Sequence, residues 1–392
     1  MGYRDIYKES NEQAEERFSL VMERIAEIAE ETDVPEKFDD YFKKTAAFLL
    51  QLKNVSEKAE KDTLKDASLT ECEKQNAGFY DDIKAENYGK SYGNPTYAVE
   101  KLGEEYGQIL SALYAECRKR ITDVYAAKKM NVTITAELFV EIYNYFEDKE
   151  GIDKTAIEQA IYWYFHDYSE IFIEDSVREL VDSEEDFLYQ IVMNSDLNDL
   201  RYLYQYGQHI GKNETGIAAF LNGMSDEEIQ AMADTYTEGY RIGFAATGKD
   251  LSKKTTAQVR YPIGFERMVR AAVKNLEKLN LKVTMRACSS AANKQYDYDH
   301  KEDKALYYDK AYVERRLEVM KTSFEEMKKP ANGQAGPAVI EVLGELPVSA
   351  ETKKEVLKLD EKQQQLSVYD MSMSGQITNQ YIIGEERSFT II

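Results

Sequence analysis

The sequence predicts a helical N-terminal domain followed by an α/β domain with a mostly parallel sheet. Residues 1–222 repeat apolar side chains at helical spacing and show no convincing period-2 alternation, the pattern of half-buried strands. Residues 255–287 read as strand, helix and strand, which is the βαβ unit of a parallel sheet. Two further β-prone runs, at 338–343 and 388–392, would extend that sheet. We therefore expect a helical domain over 1–222 and an α/β domain over 223–392.

The βαβ unit is the clearest element of the sequence. Its middle part, PIGFERMVRAAVKNLEKLN, places apolar residues three and four positions apart, as one buried helix face requires. We expect Pro262 in the first helical turn, where a missing N–H costs nothing. A right-handed crossover between parallel strands needs more sheet to continue into, so the unit predicts further strands.

The other helices follow from the same spacing of apolar residues. The segment 55–67 is charged and weakly patterned, which predicts a loop or loose helix end. Ser225 and Glu228 form a capping box at the best-defined helix start, and Gly248 is expected just after that helix. Helices are predicted over 10–31, from 35 to about 52, and over 69–83, 95–130, 133–146, 156–181, 186–194, 197–210 and 225–246.

The C-terminal part alternates between loops, helices and strands. We expect a polar loop at 289–304, a helix over about 309–328, a loop at 330–337 and a helix over about 351–366, broken or resumed up to Gly375. The final residues, RSFTII, read as a buried strand with no polar tail. Chain termini usually lie at the surface, so we expect a fragment of something longer that stops in mid-fold. The alternative is an edge strand docked at the terminus.

Composition excludes several classes of function. The chain is 43% hydrophobic and 31% charged, which is typical of a folded globular protein. Residues 251–392 carry 23 basic and 20 acidic side chains, whereas residues 1–250 carry 27 basic and 52 acidic side chains. The negative charge therefore belongs to the helical half. So acidic a surface repels phosphate backbones, which argues against nucleic acid as a partner. Neither a secretion signal nor a long apolar stretch is present, so we expect no membrane association and a cytoplasmic location. Three cysteines without a CxxC pair are expected to be free thiols.

Two local patterns resemble ligand-binding motifs. Residues 243–250, GFAATGKD, almost spell a phosphate-binding loop, but Asp250 replaces the required hydroxyl and the segment closes a helix. We expect helix termination there. Residues 297–303 hold the densest cluster of hard metal ligands, without the spacing of an EF-hand. We expect a solvated loop, with a divalent-ion site as the alternative. The cluster consists of Asp297, Asp299, His300, Glu302 and Asp303.

Histidine and tyrosine residues give no clear catalytic signal. His166 and His209 are expected to be packing residues with one hydrogen bond, and a general base is the alternative for His166. The motifs HExxH and GxSxG are absent, and no GxGxxG follows a predicted strand. The 29 tyrosines lie mostly at helix-face positions, so packing explains them first and a stacking surface second. The residues alone therefore assign no catalytic, cofactor-binding or metal-binding side chain.

Several stretches of the α/β half resemble the aminopeptidase T/aminopeptidase S family of metal-dependent aminopeptidases. They are SDEEIQAMADTYTEGYRIGF, TTAQVRYPIGFERMVRAAVKNLEKLNLKV, GPAVIEVLGE, EKQQQLSVYD with SGQITNQYI, and GEERSFTII. The likeness is to a long form with an extra N-terminal helical region. It covers residues 222–392 well and the helical half more loosely.

The resemblance implies that this chain is the non-catalytic N-terminal part of an enzyme that removes N-terminal residues from peptides. Glutamates, histidines and an aspartate of a following domain would hold two divalent ions, such as zinc, cobalt or magnesium, and bind the peptide substrates. No metal-ligand position of the family falls within this chain, so we expect no bound metal. The alternative is a helical interaction or scaffold protein with an acidic, tyrosine-rich surface. A homodimer is allowed, but not required, by either interpretation.

Overall fold

A helical region precedes a small parallel sheet that is packed against further helices. The computed structural model describes residues 2–147, 151–342 and 349–392. Four strands pair in the order β2-β1-β3-β4, all parallel, and this arrangement confirms the predicted fold class.

The helices before the sheet form an aromatic-rich core. Phe38, Phe42 and Phe146 meet edge to face, with ring centroids 4.6–5.1 Å apart between Phe146 and the other two. The helices described in this region are α1 (Tyr3–Ile6), α2 (Lys8–Ile28), α3 (Glu36–Glu60), α4 (Leu69–Tyr80), α5 (Pro95–Leu102), α6 (Gly107–Tyr125), α7 (Lys129–Glu147), α8 (Lys154–Asp167), α9 (Ser169–Val181), α10 (Phe187–Asn194) and α11 (Lys212–Asn222).

Several predicted helix boundaries were wrong. Helix α3 continues through the predicted loop to Glu60, because Val55 and Ala59 extend its buried face. The single helix predicted over 95–130 is broken at Gly103, whose φ of +88° reverses the chain between α5 and α6. The helix predicted over 156–181 is likewise two helices, α8 and α9, joined at Tyr168.

Another helix prediction failed next to the sheet. In place of the helix predicted over 197–210, the chain forms a 3₁₀ helix (Leu200–Tyr206) that ends at Gly207 in the left-handed region. Helix α11 follows it and was not predicted.

The second half of the chain builds the sheet. Val259 pairs with Met285 on one side and Ala338 on the other, so β1 is central and its Ala257 and Val259 are fully buried. The elements are α12 (Asp226–Ala246), β1 (Thr256–Pro262), α13 (Glu266–Lys278), β2 (Lys282–Cys288), α14 (Lys294–Asp299), α15 (Lys310–Glu326), α16 (Lys328–Gly333), β3 (Gln334–Val339), α17 (Glu361–Tyr381) and β4 (Thr390–Ile391).

Proline positions explain part of the misplaced boundaries in this half. Pro262 ends β1 rather than opening the helix, because Gly264 has a φ of +107° and α13 starts only at Glu266. Pro330 lies within α16 and Pro337 within β3, so the predicted loop at 330–337 was wrong.

The strand predicted at 338–343 begins earlier, at Gln334, and residue 343 lies outside the described residues. The predicted polar loop at 289–304 contains α14. The helix predicted at 351–366 begins only at Glu361, where the carboxylate of Asp360 caps it.

Two of the three hydrophobic cores of the described residues join the helical region to the second half of the chain. The second core combines Ile191, Tyr202 and Tyr206 with Val259 and Ala338 of the sheet. The third core combines residues of α9 with residues of α15 and α17, among them Val177, Val181, Phe324 and Tyr381. Apolar packing therefore crosses the expected boundary at residue 222.

Candidate functional site

Strand β4 forms an edge of the sheet. It pairs with β3 through Thr390 and Ile391, and within the described residues no strand pairs with its other side. Ser388 and Thr390 approach α12 where that helix carries Gly243 and Gly239. Alternate residues of a strand face opposite ways, so Phe389 and Ile391 point away from α12, and they are 64% and 61% exposed. An apolar, unpaired edge of this kind is a common site for association.

The glycines of the phosphate-loop-like motif serve this packing. A Cβ at Gly243 would lie 2.9 Å from Oγ of Ser388, so glycine permits the close approach of α12 to the strand. Gly248 has a φ of +67° directly after the helix, as expected for a helix end. The motif therefore has a structural explanation at both of its glycines.

Helix α17 adds to the uncovered apolar surface. No charged residue occurs from Met371 to Gly384, although 31% of the chain is charged. We call the following set the C-terminal apolar residues, because they hold seven of the twelve exposed large hydrophobic side chains of the described residues: Val342, Val368, Tyr369, Met371, Phe389, Ile391 and Ile392. Of this set, Phe389, Ile391 and Ile392 lie on or directly beside the edge strand β4, where exposed apolar side chains mark an interaction site.

The carboxyl ends of the strands are where α/β proteins commonly bind ligands, and at the end of β2 the protein itself supplies the polar contacts. The Gln208 side chain donates to the carbonyl of Ala287 (3.0 Å) and accepts from the Ser289 amide (2.9 Å). Glu214 accepts from both the amide and the hydroxyl of Ser290 at 2.6 Å. His209 lies here too, with Nδ1 3.2 Å from the carbonyl oxygen of Ser290, as a packing residue.

A buried carboxyl group lies between β1 and α13, at the first residue of that helix. Glu266 is fully buried and accepts hydrogen bonds from the Gly264 amide (2.9 Å) and the Tyr202 hydroxyl (2.8 Å). Burial raises the pKa of Glu266, and these two donors oppose that rise. Sequence reasoning missed Glu266, because a glutamate at the start of a helix is common.

The acidic loop at 297–303 is not the solvated loop that we expected. Asp299 is fully buried and accepts from Nζ of Lys353 (2.5 Å) and the hydroxyl of Tyr88 (2.7 Å). His300 has Nδ1 2.7 Å from Asp303 and Nε2 2.6 Å from the carbonyl oxygen of Gly93. Protein groups thus occupy three of the five candidate metal ligands, Asp299, His300 and Asp303, and the loop tethers distant parts of the chain together. Of the other two, Asp297 is exposed and Oε2 of Glu302 is buried without a hydrogen-bond partner among the described residues.

Among the described residues, one group of carboxylates lies close enough to share a cation. Oxygen atoms of Glu31, Asp33 and Glu147 lie within 4.8 Å of one another. The guanidinium of Arg24 reaches Glu31 at 2.5 Å and Glu147 at 3.0 Å, so an arginine already binds two of the three carboxylates. The geometry describes an arginine-centred ion cluster.

A cleft of about 1590 Å³ lies among α3, α4, α10 and the 3₁₀ helix. Its charged side chains include the pairs Arg4–Asp62 (3.9 Å) and Arg201–Asp199 (2.5 Å). Cys72 lines it, and burial raises the pKa of that thiol, which disfavours the reactive thiolate. The cleft therefore brings together no nucleophile and activating base.

Most tyrosines serve packing, which was the first of the two explanations that we expected. Seven of the twelve largest fully buried side chains are tyrosines. His166, in contrast, lies at the rim of the bundle, where Nδ1 is 2.9 Å from a carboxylate oxygen of Asp167.

Comparison with known proteins gave no family model, no curated protein and no solved structure that matches this chain. Among the described helices, none combines the length and the apolar character needed to cross a membrane.

Proposed function

We propose that this chain is the non-catalytic N-terminal part of a cytoplasmic, metal-dependent aminopeptidase, whose metal-binding domain packs against the C-terminal apolar residues. The observation that carries the proposal is the uncovered apolar edge formed by β4, with Phe389 and Ile391 more than 60% exposed. A following domain that covered this edge would remove it from water at a gain of about 25 cal/mol per Å² of apolar surface.

The chemistry would belong to that second domain. Two zinc, cobalt or magnesium ions suit peptide hydrolysis, because one activates water while the other holds the substrate. Among the described residues, the one carboxylate group with a metal-site geometry has two of its three members, Glu31 and Glu147, paired with Arg24. Peptide substrates would therefore meet the catalytic domain, and this chain would act as its support.

A direct test compares the chain with a longer gene product. We expect the purified chain to release no amino acid from a leucyl-anilide substrate in the presence of zinc, cobalt or magnesium. Reading the gene beyond the codon for Ile392 should reveal a domain with glutamate and histidine ligands, and the longer protein should be active. Metal-dependent turnover by the 392-residue chain, or a stop codon at that point, would refute the proposal.

The second candidate is a helical interaction or scaffold protein. The observation that favours it is an exposed tryptophan, Trp163 (52% exposed), on a strongly acidic part of the helical region. In this case the chain would form a stable complex, or a homodimer, without any peptidase domain. Sedimentation analysis of the purified chain tests for the homodimer, since a monomer at all concentrations excludes it.

A further inference from the structure

Three aromatic rings form a cluster on the outer face of α8. The ring of Tyr162 stacks on His166 at 5.8 Å and 20°, and Trp163 meets both rings edge to face at 5.1 and 5.3 Å. Trp163 is the only tryptophan of the chain and is 52% exposed. A large aromatic side chain held this rigidly at the surface is a characteristic anchor of binding sites.

Carboxylates surround this cluster. Asp167, whose side chain is 60% exposed, lies beside His166, and the Tyr162 hydroxyl donates to Asp309 at 3.4 Å. Burial raises the pKa of Tyr162, and the charges of Asp309 and Asp167 raise it further, so the local potential is negative. Residues 151–186 as a whole hold eleven acidic and two basic side chains.

The nearby cations of α15 are already neutralised. Lys310 lies 3.4 Å from Glu314, and Arg315 lies 3.3 Å from Glu170. The carboxylates of Asp167 and Asp309 therefore face solvent beside an exposed indole ring. The two carboxylates therefore attract a cation from outside, and the indole ring beside them gives that cation a flat aromatic surface to stack on.

We propose that this surface, formed by Tyr162, Trp163, His166, Asp167 and Asp309, binds an arginine-containing basic segment of a partner protein. A guanidinium group can stack on the indole ring while its N–H groups bond a carboxylate in a bidentate manner. Lysine would use the same charge with a poorer fit, and a phosphate-bearing partner would be repelled. The site lies on the helical region and does not depend on the peptidase proposal.

The single tryptophan makes the test direct. The probe is the peptide acetyl-GRGRGRG-amide, titrated against the full chain while Trp163 emission is recorded. The control peptide carries citrulline, which keeps the shape of arginine without its charge. We expect a saturable change in emission with the arginine peptide, at least tenfold weaker binding of the citrulline peptide, and loss of affinity at 0.5 M salt.

Variants separate this site from the general acidity of the chain. By calorimetry, Trp163→Leu should weaken binding of the arginine peptide at least tenfold, and Asp167→Asn with Asp309→Asn should weaken it several-fold. Asparagine at position 309 can still accept the capping hydrogen bond that the Tyr312 amide donates to Asp309, so α15 should stay intact. The matched control is Phe220→Ala, which removes a 70% exposed aromatic ring from α11 and should leave affinity unchanged.

Three results would overturn the proposal. They are undetectable binding at millimolar peptide, equal binding of the citrulline peptide, and unchanged affinity in the folded Trp163→Leu variant. Unchanged affinity of the Trp163→Leu variant would mean that the acidic surface alone attracts the peptide. Circular dichroism of each variant establishes that it is folded.

Discussion

Glu185 lies in a group of acids that share one buried lysine. Lys128 is 5% exposed, with Nζ 2.5 Å from Glu179 and 3.4 Å from Asp175. Burial raises the pKa of Glu185, Lys128 opposes that rise, and the charges of Glu179, Asp175 and Asp186 add to it, so that the pKa reaches about 7. This carboxyl group therefore takes up a proton on folding near pH 6.

Replacing Glu185 should make the protein more stable in alkaline solution. The folded-state pKa lies above the unfolded value, so the native state binds more protons and stability falls as pH rises from about 4.5 to 7. Glu185→Gln removes this cost, on the order of 3 kcal/mol. Urea unfolding should show the gain at pH 8 and little difference at pH 4.5.

The control for this prediction is Glu179→Gln, because it removes a partner of Lys128 instead of an excess charge. It should destabilise the protein at pH 8, by about 1 kcal/mol given that Glu179 is half exposed. Equal effects of the two substitutions at pH 8 would show that the cluster does not act through Glu185.

At the scale of elements, the extended segment 349–360 is held by polar contacts. Lys353 reaches the buried Asp299, the Glu351 amide donates to Gln295 (2.8 Å), and Glu355 accepts from Thr96 (3.0 Å). Lys353→Met leaves Asp299 buried without its cation, which should cost about 3 kcal/mol. Hydrogen exchange should accelerate across 349–360. The double variant Lys353→Met with Asp299→Asn should recover part of the stability, and no recovery would contradict this explanation.

The edge strand depends on one glycine. Gly336 has a φ of +105°, and a Cβ there would lie 2.1 Å from the carbonyl oxygen of Ser388. Gly336→Ala should therefore destabilise by more than about 2 kcal/mol and separate β4 from β3. Gly375→Ala is the matched control, since it lies in α17 with nothing within 4 Å and should stabilise by up to about 1 kcal/mol. Thermal unfolding of both variants checks the opposite signs.

Helical periodicity and the βαβ unit were sufficient to predict the fold class, because both depend on local spacing. Boundaries failed where a single backbone angle decides, as at Gly103 and Gly264, since sequence spacing does not specify φ. Among the functional candidates, the Asp297–Asp303 loop was misjudged because its cation, Lys353, lies more than fifty residues away. The exposure of Trp163 could not be predicted from the sequence either, because an aromatic helix face is usually buried.

At the scale of the whole molecule, the sheet depends on the helical region for its cover. The Gln208 side chain forms hydrogen bonds with Ala287 at the end of β2 and with Ser289, which follows the strand. The hydroxyl of Tyr80 in α4 donates to the carbonyl of Gly207 (2.9 Å) and so holds the segment that carries Gln208 in place. On the flank of the sheet, Thr284 of β2 donates to the carbonyl of Leu180 in α9 (3.2 Å). The two parts therefore share both apolar and polar contacts.

This shared packing predicts how the protein unfolds. Residues 223–392 alone would expose the apolar side chains that Ile191, Tyr202, Tyr206 and Val181 cover, so this piece should not fold independently. Residues 170–392, which restore α10, α11 and most of α9, should fold at least partly. Calorimetry of the full chain should show the α/β half unfolding together with α9–α11 in one transition. A folded 223–392 piece, with dispersed amide resonances and a cooperative transition, would mean that the boundary at residue 222 separates two independent units.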